Sequence, residues 1–235
     1  MKSNLYVFDA YGTLLDVNSA VGQHAAAVGA DAARLSELWR AKQLEYSWVY
    51  SLIGRYEPFW LLTERALDHA LARLPSVDVA LKPRLLDAYR NLAAYPEVAE
   101  VLAALRARSA GAAMGAAADA GSAQANSDVR TAVLSNGNAS MLDAAFSSAG
   151  LLPLLDRVIS VDAAGVFKTS PKTYELVTEA FNVSPGEVTF VSSNRWDVAG
   201  ASAFGFRAIW VNRAGLPDEY LDFPPMKTVR DLREI

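Results

Sequence analysis

The chain has 235 residues, enough for one good core with an appendage or for two modest domains. Its residues are 52% hydrophobic and 20% charged, an ordinary globular balance, and a net charge of −4 offers no footprint for nucleic acid or an acidic membrane surface. Cysteine is absent, which excludes disulfides, thiolate metal ligands and thiol nucleophiles. The two histidines, His24 and His69, stand in polar-flanked helical settings and read as surface residues. Met1 to Asn4 lead straight into an apolar strand, and no run approaches the ~18 consecutive apolar residues of a membrane span. A soluble, cytoplasmic protein with no membrane or nucleic-acid partner is the expectation.

In chain order, the first element is a strand over Leu5–Phe8. From Asp16 to about Asn91 no strand pattern follows, only helical material. Leu35, Leu38 and Trp39 share one face, continued by Tyr46, Val49, Leu52 and Ile53, and a helix from Pro58 aligns Phe59, Leu62, Ala66, Ala70 and Leu74. Pro96 starts a further helix with Val98, Val101, Leu102 and Leu105 together. Ser109–Asp128 holds nine alanines and three glycines without a large apolar face, and reads as a mobile loop insertion. Strands then recur at Thr131–Leu134, Arg157–Val161, Val188–Val191 and Ala208–Val211, separated by helices bearing Met141, Leu142, Ala145 and Phe146, then Leu176, Val177 and Phe181. Such nearly unbroken apolar strands, alternating with helices, predict an open, doubly wound parallel α/β sheet with a Rossmann-like core. The expected division is a core of 1–15 and 95–235, the 109–128 insertion within it, and an all-helical cap of 16–94 hinged near 15–18 and 90–96.

Ligands of open α/β sheets bind outside the carboxyl ends of the strands. The chemistry-bearing residues of this chain collect there: Asp9 to Leu14 after the first strand, Ser135-Asn136-Gly137-Asn138 after the second, Lys168 after the third, and Ser192-Ser193-Asn194-Arg195-Trp196-Asp197 after the fourth. Each cluster alone would pass as a turn or a helix cap; four at matched positions point to one active site. No serine elbow, cysteine or nearby histidine competes with Asp9 as nucleophile. A carboxylate on a tight Gly12 turn can attack carbon or phosphorus and form a covalent intermediate, and Lys168 is the cation to keep it ionised.

Asp9-x-Tyr11-Gly12-Thr13-Leu14, Ser135-Asn136-Gly137, Lys168 and Ser192-Ser193-Asn194-x-Trp196-Asp197 resemble, in order, the four motifs of the haloacid dehalogenase superfamily. Its magnesium phosphatases carry a general-acid aspartate two residues after the nucleophile, where this chain has Tyr11. They also hold the metal with a carboxylate pair, where this chain has Ser193 four residues before Asp197. A halide leaving group needs no proton, so these departures favour carbon over phosphorus, with no metal and no cofactor. Trp39-Arg40-Ala41-Lys42-Gln43-Leu44-Glu45-Tyr46 further resembles the cap motif of the L-2-haloacid dehalogenase family, with Ala41 where relatives commonly have glutamine.

This resemblance implies an (S)-2-haloacid dehalogenase acting on small 2-haloalkanoic acids. The substrate carboxylate would be held by Ser135, Lys168 and the backbone after Asp9, at Ala10 and Tyr11. Asp9 would attack C2, and halide would leave toward Arg40 and Asn136. Asp197, positioned by Lys168, Ser192 and Asn194, would deprotonate the water that hydrolyses the ester. The resemblance adds Thr13 as an orienter of Asp9 and Tyr174 as a contact near the substrate carboxylate. Tyr11, Leu44, Phe59 and Trp196 would form the apolar wall. It also implies a homodimer. A magnesium-dependent phosphatase of the same superfamily and a non-catalytic domain binding small anions remain the alternatives at this point.

Overall fold

The structure is a computed structural model and describes residues 4–115 and 129–235. Six strands, β1 (Leu5–Phe8), β2 (Arg130–Ser135), β3 (Arg157–Ser160), β4 (Val188–Ser192), β5 (Arg207–Val211) and β6 (Lys227–Val229), form one parallel sheet. The spatial order is β3-β2-β1-β4-β5-β6. The chain therefore steps outward from β1 to β3 on one side and resumes at β4 on the other, placing a topological switch point between β1 and β4. Register fixes what meets there: Phe8 pairs with Val191, so Asp9 emerges level with Ser192. The expected fold is thus found, with one strand more than the sequence reading contained. β6 is three residues long and begins Lys-Thr, too short and too polar to show an apolar run.

Helices α6 (Val98–Gly115), α7 (Ala139–Ser148), α8 (Pro171–Phe181) and α9 (Arg195–Phe204) pack around the sheet, and α1 (Ser19–Gly22), α2 (Ala25–Val28), α3 (Ala32–Leu52), α4 (Phe59–Arg73) and α5 (Lys82–Arg90) intervene between β1 and α6. Apolar spacing decides which face each core helix buries. Met141, Leu142, Ala145 and Phe146 of α7 are all buried, as are Val98, Val101, Leu102 and Leu105 of α6. Each such large side chain contributes about 1.5–3 kcal/mol on leaving water. In α8 the buried face is Thr173, Tyr174 and Val177, while Leu176 and Phe181 are only half-buried. Among the described residues no helix is long and apolar enough to cross a membrane.

Two expectations change. In α3 the buried row is Leu35, Trp39, Gln43 and Ser47, strictly four residues apart, whereas Val49, Leu52 and Ile53 are exposed. The i, i+4 ridge faces α4, and the apolar residues at the end of α3 lie off that ridge. The alanine-rich stretch begins as helix, because α6 runs to Gly115, consistent with alanine's helix preference; its remainder, 116–128, lies outside the described residues.

Where the chain leaves and re-enters the sheet layer, its two passages run side by side. Leu15 and Ala94 form an antiparallel bridge, Asp16 N–H donates to the Ala93 carbonyl at 2.8 Å, and Tyr95 N–H to that of Leu14 at 3.0 Å. Arg213, just past β5, clamps both. Its Nη1 pairs with the buried Glu97 carboxylate at 2.5 Å, its Nη2 donates to the Thr13 carbonyl at 3.1 Å, and its guanidinium lies 4.0 Å over the Tyr95 ring. Arg213→Met leaves Glu97 buried without its cation and is expected to lower stability by about 3 kcal/mol, read as a lower urea midpoint at constant m. An unchanged midpoint would show that this clamp contributes nothing.

Candidate active site

Asp9 continues the β1–β4 ladder through its N–H, which donates to the Val191 carbonyl at 2.9 Å. The chain then folds back sharply. The N–H groups of Thr13, Leu14 and Leu15 all reach the Ala10 carbonyl, at 3.2, 2.9 and 3.0 Å. Gly12 takes φ of +90°, a conformation that residues with a Cβ rarely adopt. This turn brings the Thr13 hydroxyl back to Asp9 Oδ2 at 3.0 Å, and the Ser193 N–H holds Thr13 Oγ1 at 2.8 Å. Asn194, entering α9, donates its Nδ2 to the same Asp9 oxygen at 2.7 Å and to the Tyr11 carbonyl at 3.1 Å.

Lys168 binds the site together. Its Nζ lies 3.0 Å from Asp9 Oδ1 and 2.8 Å from Asp197 Oδ2, and its side chain is wholly buried above the Phe190 ring. Asn136 Oδ1 accepts the Lys168 N–H at 2.9 Å and so anchors the loop from the end of β2. One ammonium thus serves two buried carboxylates. Burial pushes Lys168 toward losing its proton, but Asp197 and Asp9 together outweigh it and hold its pKa above the ordinary lysine value. Asp197 bears the remaining cost. Burial raises its pKa to about 6, against the pull of Lys168, with the Asp9 charge adding to the rise. The Tyr174 hydroxyl donates to Asp197 Oδ1 at 2.8 Å, and burial raises the Tyr174 pKa well above that of an ordinary phenol.

The helical segment closes over this edge. Arg40, half-buried on α3, donates Nη2 to the Tyr11 carbonyl at 3.3 Å. The Tyr11 ring stacks on Tyr89 at 5.7 Å and lies 6.4 Å from Phe59, which in turn meets Phe167 at 5.7 Å. Gly137 has no room for a side chain here, since a Cβ would come within 2.7 Å of the Tyr11 ring. A cleft of about 960 Å³ reaches Phe167, Lys168 and Trp196 from outside, between the end of α3 and α9, with Trp48 and Leu52 on its opposite wall.

The sequence pattern of the haloacid dehalogenase-like hydrolases matches residues 4–205. The chain belongs to this family. It is 45% identical to (S)-2-haloacid dehalogenase 1 of Pseudomonas sp. (strain CBS-3) over 230 residues, covering 97% of this chain and 93% of that one. It superposes with a TM-score of 0.88, at 43% identity, on a dehalogenase with an intermediate complex, covering 100% of this chain and 96% of that one. It also superposes at 0.82, with 36% identity and 99% and 96% coverage, on the L-2-haloacid dehalogenase of Xanthobacter autotrophicus with chloropropionic acid covalently bound.

Within this family member the structure redistributes some of the expected contacts. Asp9, Thr13, Lys168, Asn194, Asp197 and Tyr174 share one hydrogen-bond network. The expectation that Ser192 and Asn194 position Asp197 is corrected. Both side chains turn to Asp9 Oδ2, Ser192 at a long 3.5 Å, because β4 lies beside β1 and its end faces Asp9. The Tyr174 hydroxyl reaches the Asp197 carbonyl at 3.3 Å and Asp197 Oδ1 at 2.8 Å, so the structure sets it against that carboxylate. Ser135 Oγ accepts the Gly137 N–H at 3.1 Å, which leaves its O–H to donate. Leu44 is half-buried one turn beyond Arg40, and Trp196 packs edge-on against Trp48 at 5.7 Å. Gln43, Tyr89 and Arg213 were missed. Only Gln43 carried a signal, a polar residue on the i, i+4 row of Leu35 and Trp39.

The raised Asp197 carboxyl is expected to titrate near pH 6. It is neutral below that value and charged above it, so any proton-accepting role is lost as pH falls through about 6. Infrared difference spectra of the protein against Asp197→Asn measure this carboxyl directly; a midpoint near the ordinary 3.9 of aspartate would contradict the burial argument.

Proposed function

We propose that this chain is an (S)-2-haloacid dehalogenase that converts short 2-haloalkanoic acids to 2-hydroxy acids with inversion, through an ester on Asp9 and without a metal ion. The observation that carries this reading is the Lys168 ammonium bridging Asp9 and Asp197, with Tyr11 and Ser193 at the positions of the phosphatase acids. A built-in cation balances the nucleophile, and the positions of the two phosphatase acids carry no carboxylate. The named activities of the relatives supply the substrate class.

In this scheme Ser135, Lys168 and the backbone N–H groups of Ala10 and Tyr11 hold the substrate carboxylate. Thr13 and Asn194 fix Asp9 Oδ2, so Oδ1 forms the bond to C2 while the carbon–halogen bond breaks on the opposite face. The halide departs with its electron pair toward Arg40 and the Asn136 amide. Holding nucleophile and carbon in line is worth up to roughly 7–11 kcal/mol of the barrier in well-oriented systems. Asp197 then takes a proton from water, whose oxygen attacks the Asp9 carboxyl carbon. Negative charge develops on Oδ2, where Thr13 and Asn194 already donate, as in an oxyanion hole. The alkoxide leaves and takes the proton from Asp197, the second water proton is lost from the Asp9 carboxyl to solvent, and the single displacement at C2 accounts for net inversion. Tyr11, Leu44, Phe59 and Trp196 wall the alkyl group. Residues 16–94 act as the cap on a core of 1–15 and 95–235. We include a cytoplasmic homodimer in the proposal; exposed Val49, Leu52 and Ile53 offer apolar surface for it.

Halide release from (S)- and (R)-2-chloropropionate in EDTA, beside p-nitrophenyl phosphate with magnesium, tests the reaction class. Chloride from the S form alone is expected; phosphate release without chloride would overturn the proposal. Asp197→Asn should let alkylated Asp9 accumulate, visible as added mass on the intact protein. Slow alkylation with no adduct would remove the water-activating role from Asp197.

A further inference from the structure

Beneath Arg40 lies a small polar cluster inside the apolar packing of α3 against α4. Gln43, one turn along α3, is fully buried, and its Oε1 accepts the Arg40 Nη1–H at 2.7 Å. Its Nε2 donates to Thr63 Oγ1 at 2.7 Å, and the Tyr89 hydroxyl lies 3.0 and 3.1 Å from its two ends. Hydrogen-bond polarity leaves this amide one orientation. Arginine can only donate, so Oε1 must face it, and the Thr63 hydroxyl spends its hydrogen on the Phe59 carbonyl at 2.8 Å, so Thr63 can only accept from Nε2. The same Tyr89 stacks on Tyr11, whose carbonyl takes the second Arg40 contact. Two acceptors, Gln43 Oε1 on α3 and the Tyr11 carbonyl after β1, therefore hold the guanidinium, and the Tyr89 hydroxyl also bonds to it. A cap needing only to fold would do as well with an apolar residue on this row, since a buried amide gains little net stability even when fully bonded.

We propose that Gln43 is a positioning residue that aims Arg40 at the departing halide, with Thr63 and Tyr89 fixing the sense of its amide. This rests on the role given to Arg40 above. The test is a double-mutant cycle of Gln43→Met and Arg40→Ala, with bromide product inhibition and turnover of 2-chloro- and 2-bromopropionate as readouts. Gln43→Met is expected to weaken bromide inhibition at least about fivefold. It should also lower kcat for the chloro substrate more than for the bromo substrate, because the poorer leaving group relies more on Arg40. In the Arg40→Ala background it should add no further loss. Losses that simply add overturn the proposal while leaving Arg40's role intact, as does a lowered Tm with unchanged bromide inhibition. An Arg40→Ala enzyme with full turnover removes both readings together. If Gln43→Met does not fold, Thr63→Val carries the test by freeing the amide to turn. It should weaken bromide inhibition in the same direction, and an unchanged constant overturns the proposal.

Discussion

The shared ammonium of Lys168 is the interaction on which the site depends. Asp9 and Asp197 arrive from β1 and from α9 after β4, neighbouring parts of the sheet, and both are buried at its edge. Two buried carboxylates without a cation would neutralise by taking up protons, since low-dielectric surroundings penalise the charged form. The ammonium lies 3.0 Å from one and 2.8 Å from the other. Asp9 is further held by Thr13 and Asn194, while Asp197 is pushed to about 6. In the proposed scheme the two carboxylates thus owe their different roles to their surroundings, since their side-chain chemistry is the same.

Lys168 is in turn held from outside its own loop. Asn136 binds its backbone N–H, and Phe190 of the central strand β4 lies under its Nζ. The cation is consequently placed by three strands at once, and its position is set by the covalent chain rather than by binding from solution. In the proposed chemistry this matters because a fixed charge needs no reorganisation when the nucleophile is consumed and regenerated.

The segment above the sheet contributes a different kind of order. Arg40 reaches the core through a backbone carbonyl of the nucleophile loop, and Arg213 reaches the same loop from β5. The turn carrying Asp9 is therefore gripped by Arg40 from α3 and by Arg213 from the end of β5. The apolar contacts among Tyr11, Tyr89, Phe59 and Phe167 fill the space between those grips. Tyr11 joins the two, its ring against Tyr89 and Phe59 and its carbonyl accepting from Asn194.

The pattern of residues along the chain was enough for the sheet and for the edge at which its polar residues collect. Parallel strands buried on both faces must be apolar throughout, and polar residues that follow each of them have only the strand ends to occupy. Asp9, Lys168 and Asp197 could be placed at one edge for that reason, and the structure brings them into contact. Their partners were not: Ser192 and Asn194 were expected on Asp197, yet the β1–β4 register aims them at Asp9. Tyr174 was expected near the substrate carboxylate, and only the packing of α8 against α9 puts its hydroxyl on Asp197. Gln43 and Tyr89 lie 46 residues apart and meet solely through the packing of the cap helices. Periodicity tells which face of an element is buried, but hydrogen-bond partners separated along the chain are chosen by how those faces are brought together, and that choice belongs to the tertiary structure.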